Sequence, residues 1–447
     1  MWIIQMPCAA PIARVRPTGA ACSTACAVFI GLFATSVYAD DPVLTFGQTE
    51  RIAVERSQQL AAGDLGIAAS RERAPVAGTL PDPMLKFGVD NLPVDGATRF
   101  STQRDFMTMR RIGLSQEWVR PSTRHLHDAR GADTVKLSEA EQAVTLANVQ
   151  REAASAWLEA HFATARVVEI TAQKREAERE SEAAEVAYRE GHGTLADVFA
   201  ARGASAEVDD LGIDATRRVR VARSALSRWI GDAAFRPLSG RPEIDAIPWH
   251  SHELAAQLDD HPDIRLASER AELARTDLKL AEASRTPDWT IDLSYAARGG
   301  GFSNMASIGF SVPLQINRRD RQNREVAARR AELAQAEADR DDMRRAHTAE
   351  IDALVAQWEA DRARRERYRT DILPLASHRS EAALAAYRGG RGTLVDLLAA
   401  RRNEIEMRLK ALDVEASAAR AWAALAYLVP DPSVVPRQRT PLAEDLP

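Results

Sequence analysis

A sixteen-residue segment of this chain occurs twice. Ala187-Tyr188-Arg189-Glu190-Gly191-His192-Gly193-Thr194-Leu195-Ala196-Asp197-Val198-Phe199-Ala200-Ala201-Arg202 returns 199 residues later as Ala386-Tyr387-Arg388-Gly389-Gly390-Arg391-Gly392-Thr393-Leu394-Val395-Asp396-Leu397-Leu398-Ala399-Ala400-Arg401. Two shorter matches keep the same order: Ile112-Gly113-Leu114-Ser115 with Ile308-Gly309-Phe310-Ser311, and Pro81-Asp82 with Pro287-Asp288. Solenoid repeats run to about 20–50 residues, so a period near 200 means two duplicated halves, each a whole structural unit. The boundaries expected are a first repeat over 40–250, a second over 251–430 and a C-terminal tail over 431–447.

The repeated segment reads as a helix, a turn and a second helix. Gly191 and Gly193, with Gly390 and Gly392 in the copy, stop the first helix because glycine tolerates the left-handed conformation found there. Thr194 and Thr393 then cap the next helix, and Asp197 and Asp396 stand three residues on, where a capping box wants an acceptor. These tip turns cover 188–197 and 387–396. The flanks are long and periodic. Leu146, Val149, Ala153, Ala156, Ala160, Ala163, Val167 and Ile170 step alternately by three and four, as do Ile405, Leu409, Leu412, Ala416, Ala419 and Ala423. Such a heptad seam of small residues lets helices approach closely. A helix from near Arg124 to Glu190 would extend about 100 Å, which fits an elongated bundle and not a compact globule.

Between the helices the period changes to two. Trp289, Ile291, Leu293 and Tyr295 alternate with Thr290, Asp292 and Ser294. After Gly299-Gly300-Gly301, Ala306, Ile308, Phe310, Val312 and Leu314 alternate with Ser307, Gly309 and Ser311. This predicts a hairpin over about 288–315. Leu85, Phe87 and Val89 against Lys86, Gly88 and Asp90, with a rougher strand near Phe106–Gln116, predict another over about 84–118. Strands of about 9–11 residues with one apolar and one polar face suit a transmembrane barrel; a half-buried soluble sheet is the alternative. Four strands cannot close a barrel, the smallest having about eight, and open edges in lipid leave backbone groups unsatisfied. If the strands meet lipid, several copies must share one barrel.

The first 39 residues read as a cleaved secretory signal. Arg14 and Arg16 precede the apolar run Ala20–Val37, and Val37-Tyr38-Ala39 before Asp40 is a small-x-small cleavage pattern. A single transmembrane anchor is the alternative. Gly19 stands where a lipoprotein signal at Cys22 would want Leu. All three cysteines, Cys8, Cys22 and Cys26, lie in this segment. A mature chain starting at Asp40 would therefore have no thiol for disulfides, metal sites or nucleophiles. No later stretch reaches 18 consecutive apolar residues. The charge is −5, from 59 basic and 64 acidic residues. That argues against general nucleic-acid binding, which favours a strongly basic surface.

A signal, two halves each of helix, hairpin and long helix pair, and the duplicated turn Tyr-x-x-Gly-x-x-Thr-Leu-x-Asp together resemble the TolC-like outer membrane factors, over about residues 45–430. The resemblance implies a fold that is mainly α with a β-barrel part. Three chains would share a twelve-stranded outer-membrane β-barrel, and long coiled-coil helices would form a hollow periplasmic α-barrel. It implies a homotrimer in outer-membrane lipid, working with a periplasmic adaptor and an inner-membrane pump of the RND type as a passive export conduit. The stretches Leu80-Pro81-Asp82-Pro83-Met84, Asp90-Asn91-Leu92-Pro93 and Asp105-Phe106-Met107-Thr108-Met109-Arg110-Arg111 resemble the heavy-metal branch, CzcC- or CusC-like. By position in the turn, Asp396 matches an acid that rings the narrow periplasmic mouth, where three copies would attract cations. Gly392 stands where the family pattern has a gate-bracing Arg, and Ala399 where it has a second acid, so the resemblance does not carry the family's salt-bridge lock over to this mouth. The turns Gly191, Gly193, Thr194, Asp197, Gly390, Gly392 and Thr393 are expected to dock the adaptor.

Catalytic signatures are missing. The chain has no GxxxxGK[ST] loop, HExxH helix or GxSxG elbow, and no cofactor or catalytic residue is expected. His125-Leu126-His127 and His250-Ser251-His252 are spaced by two, so on a helix they would not face each other; surface histidines are expected. Met84, Met107 and Met109 could suit a soft cation but read better as fillers of an irregular strand surface. Arg318, Arg319, Arg321, Arg324, Arg329 and Arg330 read as a solvated helix start below the membrane. A multidrug or organic-compound duct of the same fold, a secreted coiled-coil scaffold without a barrel, and a periplasmic enzyme using His and carboxylates remain the rival readings.

Overall fold

The computed structural model describes residues 43–240, 243–247, 257–299 and 301–429. The expected signal, its three cysteines, His250, His252 and the tail over 431–447 lie outside the described residues. The elements are α1 (Phe46–Arg56), α2 (Gln58–Ala77), β1 (Met84–Asp90), β2 (Met109–Trp118), α3 (Pro121–Arg189) and α4 (Leu195–Ile230). The second half follows as α5 (Pro262–Ala283), β3 (Trp289–Arg298), β4 (Met305–Ser311), α6 (Gln322–Arg367), α7 (Leu373–Arg388) and α8 (Leu394–Ala426). No helix among the described residues is long and apolar enough to cross a membrane.

α3 has 69 residues, or about 100 Å at 1.5 Å per residue. Of its predicted seam, Val149, Ala153, Ala160, Ala163 and Ile170 are buried, whereas Leu146, Ala156 and Val167 are half-buried. On α8 the predicted positions Ile405, Leu409, Ala419 and Ala423 are buried, but Leu412 and Ala416 are only half so. Val414, Ala418, Ala421 and Leu425 are buried in addition. A single seam does not describe a helix that packs on both α3 and α6; α8 needs two apolar stripes. The largest core gathers around Trp157, Leu158, Leu226 and Ile230, with the Phe46 ring edge-on to Trp157 at 5.4 Å.

The second half is less regular than the first. A π-helical turn at Tyr368–Ile372 separates α6 from α7, where α3 runs on unbroken. Pro374 follows directly; its missing N–H removes a ladder bond, and a wide turn absorbs the misfit.

The four strands form one antiparallel sheet in the order β1-β2-β3-β4. The second strand begins at Met109 and not at Phe106, because residues 92–108 form a long turn in which the Asp105 carboxylate accepts from the Met107 N–H. The register is unambiguous. Phe87 faces Ile112, which faces Tyr295 and then Ala306; Leu85 faces Leu114, Leu293 and Ile308 in turn.

Candidate functional site

That register puts the branched and aromatic apolar residues of the strands on one face. Leu85, Phe87, Val89, Ile112, Leu114, Ile291, Leu293, Tyr295, Ile308 and Phe310 share it, and the other carries Lys86, Asp90, Arg111, Ser115, Asp292, Ser294, Ser307 and Ser311. The apolar face is bare: Phe87 is 74% exposed, Ile308 64% and Phe310 64%. So large a naked apolar surface marks an interaction with lipid or protein. The polar face is internally paired, with Lys86 Nζ 2.7 Å from Asp292 Oδ1 and Arg111 3.0 Å from Asp90. Strands β1 and β4 each keep one unpaired edge. Near the helices, Trp118, Trp289 and Phe310 lie on the apolar face with successive ring centroids 6.1 Å apart. At the far end Phe106 and Phe302 are 6.5 Å apart. Aromatic residues at both ends of an apolar band are the girdles of a membrane barrel.

At the opposite extremity the two tip turns have the same geometry. Gly191 and Gly390 take φ of +79° and +65°. The His192 N–H donates to the Ala187 carbonyl at 2.8 Å and that of Arg391 to Ala386 at 2.9 Å, the long bond of a Schellman stop. Gly193 and Gly392 do not have positive φ. They are needed for space: a Cβ there would sit 3.3 Å from the Tyr188 nitrogen and 3.0 Å from the Ala386 Cβ, respectively. Both capping boxes form. The Thr194 hydroxyl donates to Asp197 at 2.7 Å and that of Thr393 to Asp396 at 2.6 Å; each acid's N–H donates back at 3.2 Å. The Thr194 hydroxyl holds the Asp197 carboxyl below its usual range. Leu195, Phe199 and Val395 are exposed beside the turns.

Arg202 and Arg401, which end the repeated segment, show where the copies diverge. Arg202 pairs with Glu185 of α3 at 2.5 Å. Leu384 stands where the copy would place the matching acid, and Arg401 instead reaches Glu180 of α3 at 2.9 Å and Glu404 of its own helix at 3.3 Å. Glu404 also accepts from Arg408 at 2.9 Å. Burial pushes the Glu404 carboxyl up, but Arg408, Ser380 and Arg401 outweigh it and hold it below the usual range. At Glu180 burial prevails over Arg401 and the carboxyl is raised.

The other predicted candidates stay apart. Met84 and Met109 sit at opposite ends of the first hairpin, paired with Ser115 and Asp90. His125 is exposed and 4.0 Å from Asp128, and neither it nor His127 belongs to a metal-holding group among the described residues. Arg329 pairs with Glu325 and Glu332, and Arg330 with Glu282. One cluster escaped the sequence reading. His261, which caps α5, and His347 of α6 lie with ring centroids 4.1 Å apart and planes tilted by 34°, and Asp263 Oδ2 is 3.7 Å from both imidazoles. Burial, then the neighbouring His347, lowers the His261 pKa to about 4. More than eighty residues separate the two histidines, so only the pairing of α5 with α6 reveals the cluster.

Comparison with known proteins gives one answer at each level. The family described as "Outer membrane efflux protein" matches residues 254–429. The chain is 27% identical over 346 residues to the cobalt-zinc-cadmium resistance protein CzcC of Cupriavidus metallidurans, spanning 76% of this chain and 78% of that one. A membrane protein from Pseudomonas aeruginosa superposes with a TM-score of 0.73 at 16% identity, covering 86% and 93% of the two chains. The channel-forming CusC gives 0.70 at 14% identity over 86% and 92%. With its long helical body and open amphipathic sheet, this chain is similar to the outer membrane efflux proteins, whose family model matches it over residues 254–429.

Proposed function

We propose that the chain is the outer-membrane duct of a tripartite export system, a passive conduit for heavy-metal cations. The observation that carries the duct is the sheet itself: four strands, one bare apolar face, one charged face and two open edges. Neither water nor lipid accommodates it alone, and closure with two further copies gives twelve strands with the apolar face to lipid and Lys86, Arg111 and Asp292 to the lumen. The helices then extend into the periplasm and place the tip turns far from the membrane, toward a periplasmic adaptor and an inner-membrane RND pump. The cargo rests on the likeness to a cobalt-zinc-cadmium resistance protein. A strain lacking the gene should become sensitive to Zn, Co or Cd salts and keep its tolerance of dyes and detergents. Sensitivity to the dyes alone would replace the metal cargo with organic compounds.

The tip turns are the adaptor-docking surface in this account. Around Gly191 and Gly390 a Cβ would meet nothing within 4 Å, so a side chain there enlarges the outer surface without disturbing the helices behind it. The left-handed φ adds a strain of roughly 1–2 kcal/mol, small for a helical body of this size. Gly191→Val or Gly390→Val should leave assembled trimers in the outer membrane and abolish efflux, read as metal sensitivity. Normal efflux in both variants would make the duplicated turn a folding device only.

Asp396 lies at the same extremity. Three copies converging on one axis would ring the mouth with carboxylates and favour multivalent cations. Asn keeps an acceptor for Thr393, so Asp396→Asn should alter stability by about 1 kcal/mol or less. It should also weaken block by trivalent cations and change conductance in single-channel recordings. Unchanged block and conductance would leave Asp396 with its capping role alone.

A further inference from the structure

The histidine cluster in the helical body has the donor set of a transition-metal site. His261 sits at the start of α5 and His347 in the middle of α6. One ligand atom from each of His261, His347 and Asp263 lies within 4.8 Å of the other two. Tetrahedral zinc, with bonds of about 2.0–2.2 Å to His and carboxylate, spaces its ligands about 3.4 Å apart, close to the 3.7 Å from Asp263 Oδ2 to each imidazole. Glu350 lies on the far side of His347, its Oε2 3.3 Å from Nδ1. That leaves Nε2, the nitrogen on the Asp263 side, free to ligate. A carboxylate behind a histidine is the usual outer support of a metal-bound imidazole, fixing its ring and tautomer. Two positive charges oppose a cation, the end of α5 and the guanidinium of Arg151 near His261. Asp263 in the first turn and Glu350 offset both with two negative charges. The ion must also displace the long 3.3 Å capping bond that His261 Nδ1 accepts from the Asp263 N–H.

We propose that His261, Asp263 and His347 bind one zinc-class divalent cation per chain, with water as the fourth ligand, and so clip the start of α5 to the middle of α6. The set of two imidazoles and one carboxylate suits Zn²⁺ or Co²⁺ better than Mg²⁺ or Ca²⁺, which prefer oxygen alone. The site adjoins the apolar cluster of Ile264, Ile351, Trp358 and Leu425, away from both the sheet and the tips. It stands on this geometry and not on the cargo assigned above.

Equilibrium dialysis of the tag-free, detergent-solubilised protein against Zn²⁺ alone tests it. The expected result is one tightly held ion per chain, with affinity falling at least tenfold in Asp263→Asn and His347→Gln. Glu350→Gln, which touches no ion, should weaken binding about tenfold, and His125→Gln should change nothing. Co²⁺ added to the unaltered protein should give the intense visible bands of a four-coordinate site, a readout that needs no variant to fold. Absence of those bands, or equal Zn²⁺ affinity in the Asp263→Asn/His347→Gln double variant, would overturn the proposal. Neither result bears on export, which the growth assay reads separately.

Discussion

Ile308→Arg should nearly eliminate trimer from the outer membrane, while Ser307→Arg, one residue earlier on the same strand, should leave it close to normal. The two positions differ only in face. Ile308 lies mid-strand in β4, opposite Leu293, on the bare apolar side; Ser307 lies opposite Ser294 on the charged side. Arginine at the middle of a barrel's lipid face costs about 2–4 kcal/mol, and a lumen position little. The penalty falls on all three chains of one barrel. Trimer extracted from washed outer membranes, resolved on a gel without heating, is the readout. Equal loss in both variants would mean that the two faces are equivalent, and the sheet would then not be a barrel wall.

The second large effect is expected at Arg401. Its side chain is 20% exposed and neutralises Glu180 and Glu404, which are 12% and 5% exposed. Removing the cation leaves Glu180 on α3 without its charge partner. Breaking a buried pair from one side typically costs about 3–5 kcal/mol, and Arg401→Met should sit near the low end because Glu404 keeps Arg408. Arg402 provides the contrast. It pairs with Glu207 at 2.6 Å, but both are well exposed, and such pairs are worth about 1 kcal/mol or less. In thermal melts followed by helical circular dichroism, Arg401→Met should lower the midpoint by several degrees and Arg402→Met hardly at all. If the two shift alike, the ion pairs between α3 and α8 do not hold the halves together.

Local chemistry made much of this structure legible in the sequence. The tip turns could be written down from Gly, Thr and Asp at fixed spacing, because capping is settled within a few residues. The strand faces followed from alternation from Trp289 to Phe310. What escaped depends on contacts between distant segments. Whether Gly193 supplies a left-handed residue or room for a close neighbour depends on where Tyr188 comes to rest. The second buried stripe of α8, through Ala421 and Leu425, requires knowing that α6 packs there as well as α3. Arg401 reads as the twin of Arg202 until the missing acid at Leu384 sends it to α3. The pairing of His261 with His347 exists only because two helices on either side of a hairpin lie together.

The central claim is that three of these chains close one barrel around a shared lumen. It is tested most directly by the native mass of the protein extracted with mild detergent from washed outer membranes, measured by light scattering with the detergent contribution subtracted. The account predicts three chains per particle and no recovery without detergent. A monomer released into buffer by washing alone would contradict it.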